Sequence, residues 1–418
     1  MKIKLLVALL AVVPILVLAE LPRTTNSPYT QYGYGELSDP SYGAQKAMGG
    51  IGYGLREKHM INPANPASFS CVDSMTFMFD VAISGQLSMF NDGSNKSKNT
   101  NAHLEYVAIQ VPLFKNWGMG LGIKPVSQVG YKFGVKEENS SVISYTGSGG
   151  LNQVYGTLSY KFKNISVGLD AAYLFGGKYH SGNIGFADKN ADMTLRPDTL
   201  VVSGLVFDVG VQYTQPIGKD KRMIVGAVYT PKLPLNGNYL ETKIRYSPIS
   251  GQKYEYERTP FGDLGYDLPE TYAIGFSYAQ TNKFLAGADY TFQKWSDVRF
   301  HGKTNVFNDR SRINAGCEFL PNARGREYFG RVRYRLGGNY ANSYTFPNEE
   351  NSFQLNEYGV SLGFGFPLSG GRSLLNMAFE YTKTTPKQQL AGSIKEEYFK
   401  FTISYTFNEM WFFQRKVQ

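Results

Sequence analysis

The chain has 418 residues, of which 42% are hydrophobic and 15% aromatic, with a formal charge of +9 and a mean hydropathy of −0.30. Such low hydropathy excludes a bundle of membrane-spanning helices, and two cysteines are too few for a disulfide framework. The basic residues are spread along the chain without a recognition motif, which excludes a nucleic-acid-binding module.

Residues 1–19 read as a cleaved signal peptide. Lys2 and Lys4 form a basic start, Leu5 to Leu18 is apolar, and Val17-Leu18-Ala19 supplies a cleavage site. No cysteine follows the site, so a lipid anchor is not expected. Residues 20–72 come next. They are rich in glycine, proline and tyrosine and do not alternate in polarity, which suits a plug filling the lumen of the structure that follows.

Residues 73–408 alternate with a period of two. In Tyr398 to Phe407, the residues Phe399, Phe401, Ile403, Tyr405 and Phe407 share one face of a strand, and Lys400, Thr402, Ser404 and Thr406 share the other. Near the first strand, Met75, Phe77, Phe79, Val81 and Ile83 oppose Thr76, Asp80, Ser84 and Gln86. This pattern predicts an all-β fold, an antiparallel transmembrane barrel with apolar side chains toward lipid and polar ones toward the lumen. Strands are expected near 74–90, 103–113, 117–135, 150–162, 165–181, 201–217, 222–239, 268–280, 283–300, 309–320, 329–341, 354–368, 373–384 and 396–408, about fourteen in all. Short turns would face the periplasm, and long polar loops at 91–102, 182–200, 240–267 and 341–352 the exterior. Residues 409–418 are left as a short periplasmic tail.

The lumen face carries Asp80, Asp170, Asp208, Asp289, Glu318 and Glu380. Arg331, Arg333 and Arg335 share one face of the eleventh strand, and a symmetric turn would set Arg331 across from Glu318. Asp289, Glu318 and the three arginines thus form a candidate charge network, because buried charge is costly unless paired. A carboxylate-binding role for the arginines is the less favoured reading. Trp117, Trp295 and Trp411 fall near strand ends and read as interfacial anchors. Cys71 and Cys317 fall too far apart around a closed barrel to be bridged and read as free thiols.

Pro125, within Lys124-Pro125-Val126-Ser127, interrupts the third strand, where it removes a ladder donor. Two readings fit: a bulge that relieves strain, or an opening in the wall. The four histidines, His59, His103, His180 and His301, make no Ser/His/Asp arrangement, so no catalytic residue, cofactor or metal is assigned.

Several short motifs resemble the FadL/TodX family of outer-membrane transporters for hydrophobic compounds. Asn62-Pro63-Ala64, after a glycine-rich stretch and before the first strand, resembles the family's hatch segment. Leu268-Pro269, Ala288-Asp289-Tyr290 with Trp295-Ser296, and the arginine-bearing run to Tyr340 follow in order. The resemblance implies a monomeric fourteen-stranded barrel in the outer membrane of a Gram-negative bacterium, plugged by its N-terminus. It also implies a lateral gate at Lys124, Pro125 and Ser127, and passive passage of a hydrophobic small molecule from the exterior. The loops are very polar, as at 91–99, and lack an apolar helix to catch such a molecule. The competing expectation is a non-transporting partner of a larger outer-membrane secretion or assembly complex.

Overall fold

The computed structural model describes residues 25–410 apart from 137–140, 187, 189, 263, 347–353, 369–370 and 389–392. The expected leader, Trp411 and the tail beyond Met410 lie outside these residues. The strands are β1 (Glu36–Leu37), β2 (Thr76–Asn91), β3 (Lys96–Pro112), β4 (Trp117–Lys136), β5 (Ser141–Phe162), β6 (Ile165–Phe186), β7 (Met193–Ile217), β8 (Lys221–Thr230) and β9 (Leu233–Tyr246). They continue as β10 (Lys253–Phe261), β11 (Tyr266–Leu268), β12 (Glu270–Gln280), β13 (Phe284–Lys294), β14 (Arg310–Phe319), β15 (Arg333–Asn342), β16 (Leu355–Pro367), β17 (Leu374–Pro386) and β18 (Lys395–Met410).

β2 to β18 make one antiparallel wall of fourteen positions. β8 and β9 are lower and upper halves of one position, since β7 pairs with β8 through Val209–Ile217 and with β9 through Met193–Ser203. β12, β11 and β10 share the next position in the same way. β18 closes on β2 from Lys395↔Asn91 to Met410↔Thr76, which removes the sheet edges a bilayer would not tolerate.

Alternation sorts the side chains. On β6, Ile165, Val167, Leu169 and Tyr173 are exposed on the outer face, while Ser166, Gly168, Asp170 and Leu174 are buried on the inner one. An exposed apolar band on a closed barrel is the mark of a membrane wall. The inner face meets residues 25–72, which run through the lumen. Inward glycines make room for this plug: a Cβ at Gly226 would stand 1.9 Å from the Tyr53 carbonyl oxygen, and one at Gly316 2.2 Å from that of Met48.

The strands outrun expectation on one side. β12 has 11 residues, enough to cross a bilayer, but β7 has 25. Segments read as loops from sequence, within 91–102, 182–200 and 240–267, are largely strand. Above the membrane both faces of a strand meet water, so polarity there stops alternating and the signal is lost. The expected strand over 283–300 ends instead at Lys294. There Trp295 turns inward and stacks on Tyr344 with ring centroids 4.1 Å apart, so it caps the lumen rather than anchoring the interface. Cys71 and Cys317 are both free.

Candidate functional site

The plug is fastened by its own turn chemistry. In the tandem repeat Asn62-Pro63-Ala64-Asn65-Pro66-Ala67, each asparagine accepts a hydrogen bond from the N–H two residues on, Ala64 to Asn62 at 3.1 Å and Ala67 to Asn65 at 3.0 Å. Proline between them has no N–H to leave unpaired. Asn62 Nδ2 also donates to the carbonyls of Gly52 and Leu55 at 2.7 and 2.9 Å, folding the plug on itself. Asn65 Nδ2 donates to Val211 of the wall at 3.2 Å. From β13, the buried Asp289 carboxylate accepts the N–H of Gly52 at 2.5 Å and of Tyr53 at 2.9 Å.

Glu318 on β14 receives Arg333 Nη1 at 2.5 Å and Arg335 Nε at 2.7 Å, and Arg335 goes on to Asn376 at 2.7 Å. Arg335, not Arg331, is its ladder partner. Arg331 lies in the one-turn helix Phe329–Arg331 with its guanidinium 5.6 Å from the centre of the Tyr328 ring. The connection after β14 is longer than a symmetric turn, so β15 starts at Arg333 and the register moves by four. Asp289 is not part of this network either, being occupied with the plug.

Other ties escaped the sequence. Lys46 of the plug pairs with Glu105 of β3 at 3.0 Å, and Lys400 of β18 reaches the same carboxylate at 2.5 Å. Arg312 pairs with Asp39, and Arg222 with Glu57. Glu105 was hidden by a bulge: β3 shifts register between Ala82↔Tyr106 and Ile83↔Leu104, so Glu105 and Tyr106 are both buried and alternation fails there. Partners within the plug have no periodicity by which to find them.

The wall parts between β3 and β4. Their ladder runs from Pro112↔Gly118 to Val107↔Ile123 and ends. β4 continues along β5 with a register shift between Pro125 and Ser127, which makes Val126 the extra residue. The edge of β4 freed from β3 is taken by the plug, where Ser38 N–H donates to the Val126 carbonyl at 2.9 Å and β1 pairs with Ser127 and Gln128. Lys124 Nζ lies 5.4 Å from the centre of the Tyr155 ring, and Ser127 is buried.

Lys124 and Pro125 of β4 and Pro63 and Ala64 of the plug line one cavity of about 200 Å³, with Val206, Val228 and Trp295 on its apolar side. Ser127 does not line it. On the other side of the plug segment at Leu37 lies a cavity of about 120 Å³ walled by Glu36, Lys46, Glu105, Glu380 and Lys400. The larger space is mixed, since Asp39, Asp208, Arg310 and Arg312 also line it, whereas the smaller one is walled chiefly by charged groups.

A closed wall, an outward apolar band and a fastened internal plug define a plugged, membrane-spanning barrel with the fold of outer-membrane β-barrels. The chain belongs to the BamG family, whose profile matches residues 1–418. Among solved structures the fold is similar to a Pseudomonas aeruginosa FadL homologue, with a TM-score of 0.62 and 14% identity over 89% of this chain and 99% of that one. It is similar to the Pseudomonas putida toluene transporter TodX, with a TM-score of 0.60 and 13% identity over 90% and 100% of the two chains. It is also similar to the Ralstonia pickettii toluene transporter TbuX, with a TM-score of 0.56 and 14% identity over 88% and 98%. At this identity the likeness to FadL and TodX is one of fold, and the family is BamG. No curated protein sequence matches the chain.

Proposed function

We propose that this chain is a passive outer-membrane channel that admits small lipophilic molecules through the wall between β3 and β4. The observation that carries the reading is the loss of the β3–β4 ladder above Val107 and Ile123, beside the cavity lined by Pro125 and Ala64. Ile123 stands six residues above Trp117 at the short-turn end of β4. On a tilted strand that is a rise of about 15 Å, so the parting faces the outer half of the bilayer. An apolar cavity of about 150 Å³ holds benzene, and two of the fold relatives are described as toluene transporters. The volume admits a single aromatic ring, whose faces would lie against Val206, Val228 and Trp295. Lys124, Pro125 and the plug residues Asn62, Pro63 and Ala64 would line or brace the route. The test is uptake of a small aromatic probe into proteoliposomes. A cysteine pair joining β3 to β4 just above Val107 and Ile123, in a Cys71→Ser/Cys317→Ser background, should stop uptake when oxidised and restore it when reduced. Uptake equal in both states overturns the gate.

A second reading, a partner subunit without transport, is favoured by the β9–β10 hairpin. It stands above the membrane, and no ladder partner on the far side of β10 occurs among the described residues. Tyr254, Tyr256 and Ile249 are exposed there. Purification in mild detergent separates the two: a lone barrel holding a lipophilic molecule supports the channel, and a stoichiometric protein partner supports the subunit.

A further inference from the structure

The connection between β14 and β15 is longer than closing a hairpin needs. The turns after β5 and β12 take only 163–164 and 281–283, whereas this one runs over 320–332. It also holds Arg331, which has no place in the luminal charge network around Glu318. Within it the Asn322 N–H donates to the Gly330 carbonyl at 2.8 Å, so the segment is a small hairpin with Arg324, Gly325, Arg326 and Glu327 at its tip.

Two tyrosines lay this hairpin against the outer rim of the wall. Glu318 and Arg335 face the lumen, so their chain neighbours Phe319 and Tyr334 face out, in one ladder row with Phe284 and Phe364. Such a row of aromatic rings at the short-turn end marks the periplasmic boundary of the apolar band. The Tyr334 hydroxyl donates to the Phe329 carbonyl at 3.3 Å, and the Tyr328 hydroxyl donates to that of Pro367, at the end of β16, also at 3.3 Å. Tyr328 and Phe329 are thereby held at the edge of the lipid, 42% and 71% exposed. Arg331 rests over the Tyr328 ring, and its Nε has no hydrogen-bond partner among the described residues. Arg324 and Arg326 are exposed, and none of the three arginines makes an ion pair among the described residues. Glu327 is the one acidic residue in 320–332.

We propose that this hairpin binds the headgroup of an anionic phospholipid in the periplasmic leaflet. Phe329 and the Tyr328 ring meet the boundary between acyl chain and headgroup, and Arg324, Arg326 and Arg331 stand at the level of the phosphates. A guanidinium matches phosphate oxygens with paired donors. The charge balance selects the lipid: a zwitterionic headgroup brings an ammonium into a field of three guanidiniums and one carboxylate, whereas an anionic one brings no cation. Lipid rather than a periplasmic protein is the occupant because both tyrosine ties hold the hairpin on the lipid-facing rim, directly beside the aromatic row. The site is independent of whether the lumen conducts.

The experiment is native mass spectrometry of the full-length barrel in detergent, with phosphatidylglycerol and phosphatidylethanolamine of identical chains added at equal concentration. The phosphatidylglycerol adduct should exceed the phosphatidylethanolamine adduct by about fivefold or more, and added salt should narrow the difference. The double variant Arg324→Gln/Arg326→Gln changes only exposed side chains, so it should fold as the native barrel does and bind the two lipids about equally. Arg331→Gln should lower the preference in part, whereas Lys253→Gln, which removes an exposed charge from β10 at the opposite end of the barrel, should leave it unchanged. Equal binding of both lipids by the native protein, or an undiminished preference in the folded double variant, overturns the site. In liposomes, a polarity-sensitive dye on Phe329→Cys, in a Cys71→Ser/Cys317→Ser background, should report an apolar setting. A dye that reports water, or a co-purifying protein that shields it, overturns the site as well.

Discussion

Lys46 of the plug lies 3.0 Å from Glu105 of β3, with both side chains about 95% buried, so the plug and the wall share an ion pair inside the lumen. Breaking a buried pair from one side leaves a charge without its partner, which costs about 3–5 kcal/mol. Lys400 still reaches Glu105, so Lys46→Met should fall near about 3 kcal/mol or somewhat below. The expected outcome is a lower unfolding midpoint in urea and a rise in single-channel conductance as the plug loosens. Lys46→Arg should keep much of both.

The barrel was legible in the sequence because a bilayer forces alternation on every strand that crosses it. Tyr398 to Phe407 is the clearest case, and all fourteen wall positions were placed. What the sequence concealed follows from where that force is absent. Above the membrane, as at Lys96 to Thr100 of β3, both faces are solvated and strand looks like loop. At the β3 bulge, two successive inward residues break the period and hide Glu105. Arg333 and Arg335 were placed on the lumen face, but their register against Glu318 depended on the length of the turn before β15, which period alone does not set. The Asn62-Pro63-Ala64 motif marked the plug, yet Asp289, the wall residue that holds the plug at Gly52 and Tyr53, was assigned to the arginines.

That reassignment gives a second prediction. Asp289 accepts two plug N–H groups, and a hydrogen bond to a charged group contributes about 1.5–3 kcal/mol. Asp289→Ala leaves both donors buried without an acceptor, whereas Asp289→Asn keeps one oxygen in place. Amide hydrogen exchange at residues 52–54 should quicken strongly in the alanine variant and modestly in the asparagine variant. Equal protection in all three proteins would show that the plug is held elsewhere.

Acid should loosen the outer cap. His301, in the loop between β13 and β14, has its imidazole pKa pushed down from 6.5 to about 4, chiefly by burial, with Lys178 and Lys303 adding to the effect. Its Nδ1 lies 2.9 Å from the Tyr266 hydroxyl. The folded cap holds the neutral ring, while the unfolded loop takes up a proton below about 6.5. Stability from this group is therefore full above pH 6.5 and is lost as pH falls toward 4. Hydrogen exchange over 295–309 should quicken across that window, and His301→Phe should flatten the response. A pH-independent exchange rate in the native protein would contradict the linkage.

Pro125 offers the sharpest test of the wall. It sits where the β3–β4 ladder has ended, next to the extra residue Val126, and on the cavity shared with Pro63 and Ala64. Proline supplies no ladder donor and fixes its own backbone angle, so it favours the bent course of β4 over a flat one. Pro125→Val restores an N–H and a β-branched side chain suited to a regular strand. The expected result is a barrel of equal or greater heat stability, by up to about 1 kcal/mol, with slower uptake of a small aromatic probe. Ser127→Val, two residues on but off the cavity, should leave uptake close to that of the native protein. If Pro125→Val took up the probe at the native rate with equal surface expression, the bend would be a strain-relieving bulge, and the partner-subunit reading would gain over the channel.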